Sequence, residues 1–320
     1  SDRILTSENF FEQEDLPKRI AVIGLGAIGL EIGQALSRLG LEVTGFGSGQ
    51  FIGGISDPEV NSSMCSIVKS EFPIHLGSHA EIEGEGEALR VSSDGFSVVV
   101  DKVIVAAGVT PNLDGLGMEN LGVEPEENGI PEFNGRSMQI GDLPVFIAGD
   151  ADGYLQILHE ALDEGFIAGS NAAGAAPEQF CRRTPLHITF TDPEIFSAGR
   201  KVGELKNLDY VVGSVDFSNQ ARALIEGSNR GLLRIYVERA TGILVGAEGA
   251  CPAGEHFAHQ LAWSIQHDAK VSDLLQCPFY HPVLEEALRA ALKDAAKQLP
   301  KKIRMPELSL CQSSPESPIS

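Results

Sequence analysis

The sequence predicts an α/β fold that gives way to an α+β region toward its end. Three observations predict it. A short apolar run, Ile20 to Ile23, leads into Gly24-x-Gly26-x-x-Gly29 and then into apolar residues at helical spacing. Strand, glycine turn, helix is the Rossmann-like order. Two further apolar runs, residues 41–46 and 102–108, have the length and flanks of buried strands in the same parallel sheet. From Pro185 onward the pattern changes to longer alternating runs followed by helices, which is the α+β signature.

The first strand is bounded by charge before and glycine after. In the turn, the first glycine permits the tight bend and the second lets backbone approach a pyrophosphate. The third lets helix and strand pack closely. Ile28, Ile32, Ala35, Leu36 and Leu39 form the helix's apolar face, and Gly40 ends it. The helix N-terminus then offers free N–H groups to phosphates, so this stretch predicts a dinucleotide site. The second strand, LEVTGF, ends in Gly47-Ser48-Gly49. An acidic residue there would hydrogen-bond a ribose and a basic cluster would suit a 2′-phosphate. Neither is present, so NAD and NADP both stay open.

Asp57-Pro58 starts a helix that ends near Lys69. Residues 74–100 alternate, with Asp94-Gly95 as a hairpin turn, predicting a small antiparallel insertion. KVIVAAG returns as a strand whose end, Ala107-Gly108, offers a second backbone approach to the cofactor. A glycine- and glutamate-rich stretch after Pro111 marks a domain boundary. PVFIAGD, residues 144–150, reads as another strand, and Leu158 to Ala173 as a helix. Asp150 then either binds a sugar-like hydroxyl or caps a turn. The runs from Pro185 predict an antiparallel meander turning at Ala240-Thr241-Gly242, followed by helices at 254–266, 271–276 and 282–299. The tail from Pro306 reads as disordered.

The formal net charge of −21 argues against nucleic acid and anionic membranes as partners. No apolar run has the length of a membrane span, and the acidic N-terminus has no signal-peptide core. The five cysteines, at 65, 181, 251, 277 and 311, include no close pair. They predict reduced thiols in a cytoplasmic protein, most of them buried as small hydrophobes, with no metal centre. His256 and His259 with Glu255 have ligand spacing on one helix, but no third ligand set accompanies them. In His281-Pro282-Val283-Leu284-Glu285-Glu286 the proline predicts a helix start with His281 at its cap. A carboxylate one turn on can orient the imidazole as in an acid–base pair, or simply suit the helix dipole.

The ordered segments 4–40, VIVAAGVTPNLDGLG, VFIAGDADG with LHEALDEGFIAGSNAAG, ITFTDPEIFSAGR and PFYHPVLEEALRAAL resemble the pyridine nucleotide–disulfide oxidoreductases. The resemblance runs from Arg3 to Leu299 and is nearest to the dihydrolipoamide dehydrogenase branch. It implies an α/β nicotinamide-binding domain over 1–115, a second segment of an FAD-binding domain over 116–184 and an α+β dimerisation domain over 185–305, with 306–320 as tail. It implies NAD or NADP, FAD, a dithiol/disulfide substrate and a homodimer through 185–305. On the nicotinamide dinucleotide it places Gly24, Gly26, Ala27, Ile28, Gly29, Glu31 and Gly33, with Glu31 close to the flavin, and Ala107 and Gly108 beside them. On FAD it places Gly149, Asp150, Leu158, His159 and Ala161. It makes His281 the acid–base histidine, serving the partner subunit's site, and Glu286 its orienting carboxylate.

The family's N-terminal FAD glycine turn and its C-x-x-x-x-C redox pair are absent from this sequence. The expectation is therefore a C-terminal portion of such an oxidoreductase, inactive alone and with its FAD lost. The alternative is a flavin-free NAD(P)-binding and dimerisation module. A glutathione reductase-like function ranks lower for want of NADP-selecting arginines. A mercuric reductase-like one ranks lower still, because Cys311 stands alone in the C-terminal stretch.

Overall fold

The computed structural model describes residues 2–126, 129–301 and 308. Two compact bodies result, one holding residues up to Ala107 together with those from Thr184, the other Gly108–Arg183.

The first body contains the parallel sheet. Strand β1, Ile4–Thr6, runs beside a later strand and was not foreseen, because three residues carry no periodicity. Strand β2, Arg19–Ile23, follows, then helix α1, Ala27–Arg38. Strand β3, Glu42–Gly47, helix α2, Pro58–Glu71, and strand β4, Ile74–Leu76, continue the winding. Asp57 caps α2, accepting from the amides of Glu59 and Val60, as Asp-Pro predicts. Strands β5, Glu81–Glu85, β6, Ala88–Ser93, and β7, Phe96–Val100, make the antiparallel insertion, which is shorter than the expected 74–100 because β4 pairs parallel with β3, and β8, Lys102–Val105, returns to the sheet. The sheet order is β1-β8-β2-β3-β4, all parallel. Ile20, Ala21 and Val22 are fully buried at its centre.

The second body has two short strands, β9, Phe133–Asn134, and β10, Gln139–Ile140, and one long helix, α3, Leu158–Ala173. Residues 144–150 do not form the expected strand. Phe146 makes a single bridge to Gln139, Ile147 turns into a small core with Ile130 and Ile140, and Gly149–Asp152 coils into a 3-10 turn. The apolar run is real, but β10 offers only two residues to pair with it, and a strand needs a neighbour for its backbone groups.

From Thr184 the chain rejoins the first body. Strands β11, Leu186–Thr189, β12, Glu194–Gly199, and β13, Tyr210–Asp216, are followed by helix α4, Ala221–Glu226. Strands β14, Leu232–Glu238, and β15, Leu244–Cys251, come next, then helices α5, Gly254–Gln266, α6, Val271–Leu275, and α7, Glu286–Gln298. The sheet is antiparallel, but its order is β11-β12-β15-β14-β13. A plain meander is thus corrected: β15 inserts between β12 and β14. Gly213 lets α7 cross β13 closely, since a Cβ there would lie 2.1 Å from the Ala291 carbonyl oxygen.

A buried carboxylate ties the antiparallel sheet of this body to the loop before α2. Glu248 on β15 is fully buried. It accepts from the amides of Ser56, Asp57 and Val202, from the Ser56 hydroxyl at 2.7 Å and from Tyr236. Tyr236 also donates to Asp57 at 2.9 Å. Burial and the charges of Glu248 and Asp57 push the Tyr236 pKa up, so its hydroxyl remains a donor.

Of the cysteines, Cys65 and Cys251 are buried and Cys181 and Cys277 exposed, all as free thiols; Cys311 lies outside the described residues. So does the expected disordered tail, apart from residue 308. No helix among the described residues is long and apolar enough to cross a membrane.

Candidate functional site

The structure assembles the sequence-predicted residues in three groups. The first is the glycine turn between β2 and α1. Gly24 sits at φ +95°, and a Cβ on it would lie 2.3 Å from the Ala106 carbonyl oxygen. A Cβ on Gly29 would lie 1.8 Å from the Gly24 carbonyl oxygen. Both positions therefore require glycine for backbone to meet backbone. Gly33 is looser, with the nearest Phe72 ring carbon 3.2 Å from an added Cβ. Gly26 is different in kind, for nothing lies within 4 Å of where its Cβ would be. Its bareness faces solvent, where a phosphate can approach. Gly26 is also the N-cap of α1 and brings no side-chain cap. The amides of Ala27, Ile28 and Gly29 thus lack the intrahelical acceptors that later residues have. This cradle fits a pyrophosphate on the chemistry of its donors. Ala107 follows β8 in exposed chain. Gly47 ends β3, and a Cβ on it would approach Leu76 to 2.8 Å.

Glu31 lies one turn along α1 and accepts a hydrogen bond from the Phe190 amide at 2.7 Å. The same helix face supplies Gln34, which accepts from the Asp192 amide at 2.7 Å and donates to its carbonyl at 2.8 Å. Arg38 adds an ion pair to the Asp192 carboxylate at 2.9 Å.

The second group lies in the second body. Gly108 begins it at φ +108°. Gly149, at φ +69°, donates its amide to Glu164 Oε2 at 2.8 Å. Asp150 is exposed on the 3-10 turn and does not cap α3, whose N-cap is Ile157. An exposed carboxylate on a glycine turn can accept hydroxyls, so this segment fits the polyol part of a flavin nucleotide. Ala161 packs beside Gly149, while Leu158 is 76% exposed and His159 half-exposed at the start of α3.

Beneath this turn is a cluster that motif reading missed. Arg182 lies 2.6 Å from Glu160 and 2.7 Å from Glu164, and both carboxylates are buried. Asp152, 3% exposed, accepts from the Tyr154 amide through Oδ1 at 2.8 Å. Its other oxygen has no hydrogen-bond partner among the described residues. Burial, reinforced by the Glu164 charge, pushes the Asp152 pKa up to about 6. The legible signal was Glu160 and Glu164 at i, i+4, a like-charge pair that calls for a cation.

The third group is His281 with Glu286. Nδ1 lies 3.0 Å and 3.1 Å from the two carboxylate oxygens. A carboxylate only accepts, so Nδ1 carries the proton and Nε2 is left as the basic nitrogen on an exposed ring. The hydrogen bond from His281 holds the Glu286 pKa below the usual carboxylate range, and the Val283 amide assists. The expected placing of His281 at the helix cap is corrected. Leu284 and Glu285 form a turn, Glu285 is the N-cap, and α7 starts at Glu286. Glu286 also accepts from the Val283 amide at 3.3 Å. An apolar cavity of about 610 Å³, lined by Trp263, Phe279, Tyr280 and Leu288 among others, adjoins this segment. His256 and His259 gather no further ligands. His259 Nδ1 is engaged with the Glu255 carbonyl oxygen at 2.7 Å, and no group of three metal-ligating residues occurs among the described residues.

Comparison with known proteins supports the fold. Residues 1–165 match the family model for pyridine nucleotide-disulphide oxidoreductases, and 186–292 match that family's dimerisation domain. Dihydrolipoyl dehydrogenase of Thermus scotoductus is 33% identical over 296 residues, 89% of this chain and 64% of the relative. The mitochondrial enzyme of Bos taurus is 28% identical over 302 residues, 91% of this chain and 59% of the relative. The chain thus spans about three fifths of the length of these relatives. Among solved structures, the HOCl-induced flavoprotein disulfide reductase RclA from Escherichia coli shares the fold at a TM-score of 0.81 and 21% identity, covering 92% of this chain and 68% of its own. LpdA from Mycobacterium tuberculosis does so at 0.80 and 24%, covering 91% and 65%. With a mixed α/β fold, a complete glycine cradle and these matches, the chain belongs to the pyridine nucleotide-disulphide oxidoreductase family.

Proposed function

We propose that this chain supplies the nicotinamide dinucleotide seat, a segment of the flavin site and the dimerisation domain of an FAD-dependent NAD(P)H–disulfide oxidoreductase like dihydrolipoyl dehydrogenase. The observation that carries the reading is the His281–Glu286 pair, with Nδ1 protonated toward the carboxylate and Nε2 exposed. Such a pair takes a proton from a dithiol or returns one to a thiolate. Bound FAD supplies the two-electron relay between nicotinamide and disulfide. The chain's own residues bind and orient. Gly24, Gly26 and Gly29 admit the pyrophosphate, Gly149 and Asp150 face the flavin's polyol, and Glu286 fixes the tautomer of His281. The domain division at 115 and 184, the homodimer and a cytoplasmic location belong to the same proposal. The five cysteines of this sequence include no close pair.

The test is calorimetric titration with NADH and with NADPH. Heat from at least one is expected, and none with either at millimolar ligand overturns the dinucleotide reading. In the full oxidoreductase, His281→Gln should slow the dithiol half-reaction by about 10²- to 10⁴-fold, the usual worth of a positioned acid–base group, and largely spare hydride transfer to flavin. Equal loss in both half-reactions contradicts the assignment. The sequence also favours one other reading, because it lacks the redox pair: a dinucleotide-binding, dimerising module with no flavin. Stoichiometric bound flavin in the purified protein excludes it.

A further inference from the structure

Residues 48–57, between β3 and α2, form no helix or strand, yet the second half of this loop is largely buried and is pinned on two sides. On one side the Gly53 amide donates to the Leu25 carbonyl at 2.9 Å. Leu25 stands between Gly24 and Gly26, so this bond reaches the middle of the glycine turn. Gly53 itself has no room to spare. It sits at φ +60°, and a Cβ on it would lie 2.4 Å from Ile195 Cδ1 on β12. On the other side Glu248 Oε2 accepts from the amides of Ser56 and Asp57. Its Oε1 accepts from the Ser56 hydroxyl, the Val202 amide and Tyr236. Lys201, just after β12, donates to the Gly54 carbonyl at 2.8 Å. Ile52 and Ile55 are buried in one cluster with Ile195 and Ala250. Ile195, Lys201 and Glu248 all lie in the stretch that matches the dimerisation-domain model. A brace therefore runs from β15 through residues 53–57 to the carbonyl at the centre of the cradle.

We propose that Glu248 is a positioning residue for the dinucleotide seat, acting through the amides of Ser56 and Asp57 on the hydrogen bond between Gly53 and Leu25. The inference rests on the dinucleotide reading above. The Leu25 carbonyl and the Gly26 amide belong to one planar peptide unit. Holding the carbonyl on Gly53 therefore sets the direction of the Gly26 N–H, at the residue whose open face admits a phosphate. Without that hold the peptide can turn, and the cost of ordering it falls on ligand binding. Both oxygens of Glu248 meet donors, so both must accept. Glutamine has the same shape, but its NH2 would face donors from which it cannot accept.

The experiment is NADH titration of the purified chain and three variants, with melting profiles and amide hydrogen exchange at Gly53. Glu248→Gln should weaken NADH binding by about three- to tenfold, the worth of one lost hydrogen bond. It should also speed exchange at Gly53 by about tenfold or more, while the amides of Ile20 to Val22 keep their parental rates. Lys201→Met removes a donor at the surface. It should weaken binding by about twofold with an unchanged melting profile. Leu292→Ala empties part of the fully buried core of α7, away from the loop. It should lower the melting temperature yet leave NADH affinity and Gly53 exchange at parental levels. Parental affinity in Glu248→Gln overturns the proposal and, should that variant not fold, parental affinity in Lys201→Met does so. Weakening in Leu292→Ala equal to that in Glu248→Gln also overturns it, since the effect is then one of stability alone. A parent chain that binds neither NADH nor NADPH overturns the dinucleotide reading itself, before any substitution is made.

Discussion

The turn at Gly24–Gly29 and the turn at Gly149–Gly153 both place a positive-φ glycine ahead of a helix, but they are held by different forces. The first is fixed by backbone contact. Added Cβ atoms would meet carbonyl oxygens at 2.3 Å and 1.8 Å, and no ionisable group takes part. The second has room, for a Cβ on Gly149 would meet only Ala161 at 3.4 Å. It is fixed by charge, through Glu164 on the Gly149 amide and Arg182 on Glu164. One turn is sensitive to volume, the other to protonation and to its counterion.

Four substitutions break or sharpen this contrast. Arg182→Ala should have the largest effect, about 3–5 kcal/mol lost, because it strands two buried carboxylates. Urea unfolding and hydrogen exchange over 149–171 should report it, and a loss below about 1 kcal/mol would show that the charges are screened. Gly29→Ala comes next, at about 1–3 kcal/mol for overpacking, together with loss of NADH binding. Gly149→Ala should lose only about 1–2 kcal/mol, the penalty of a left-handed alanine. If it equals Gly29→Ala, the two turns are not held differently. The smallest effect is in pH. The folded Asp152 pKa, about 6, lies above its ordinary 3.8. Its contribution to stability is thus full below 3.8, falls as pH rises toward 6, and is gone above. Asp152→Asn should flatten that part of the profile relative to the parent, measured as urea midpoints at several pH values. Identical slopes in parent and variant would place the proton elsewhere.

What could be read in advance follows the same division. Glycine spacing is a local signal that backbone sterics make specific, so the cradle and α1 were legible. Asp57-Pro58 announced α2 for a similar reason. The Arg182 cluster joins residues that sequence scatters over 152–182, and only Glu160 and Glu164 hinted at it. Strand β1 was invisible because its partner, β8, lies about a hundred residues away. The placing of β15 between β12 and β14 was hidden because alternation fixes a strand's faces but not its neighbours. At residues 144–150 hydrophobicity marks a core contact and not a strand. At Pro282 the proline rule gave way to Glu286, whose carboxylate holds His281 and the Val283 amide together.

Glu248 bears on how divisible this protein is. Ending the chain at Ala107 would keep the cradle and the whole parallel sheet. It would also leave the amides of Ser56 and Asp57 without the acceptor that β15 provides. A chimaera that borrows the antiparallel sheet of another protein meets the same demand, since the donor must present a carboxylate at that one place. The half that carries the glycine turn is therefore not an interchangeable cassette: its loop before α2 is completed by a residue almost two hundred positions downstream.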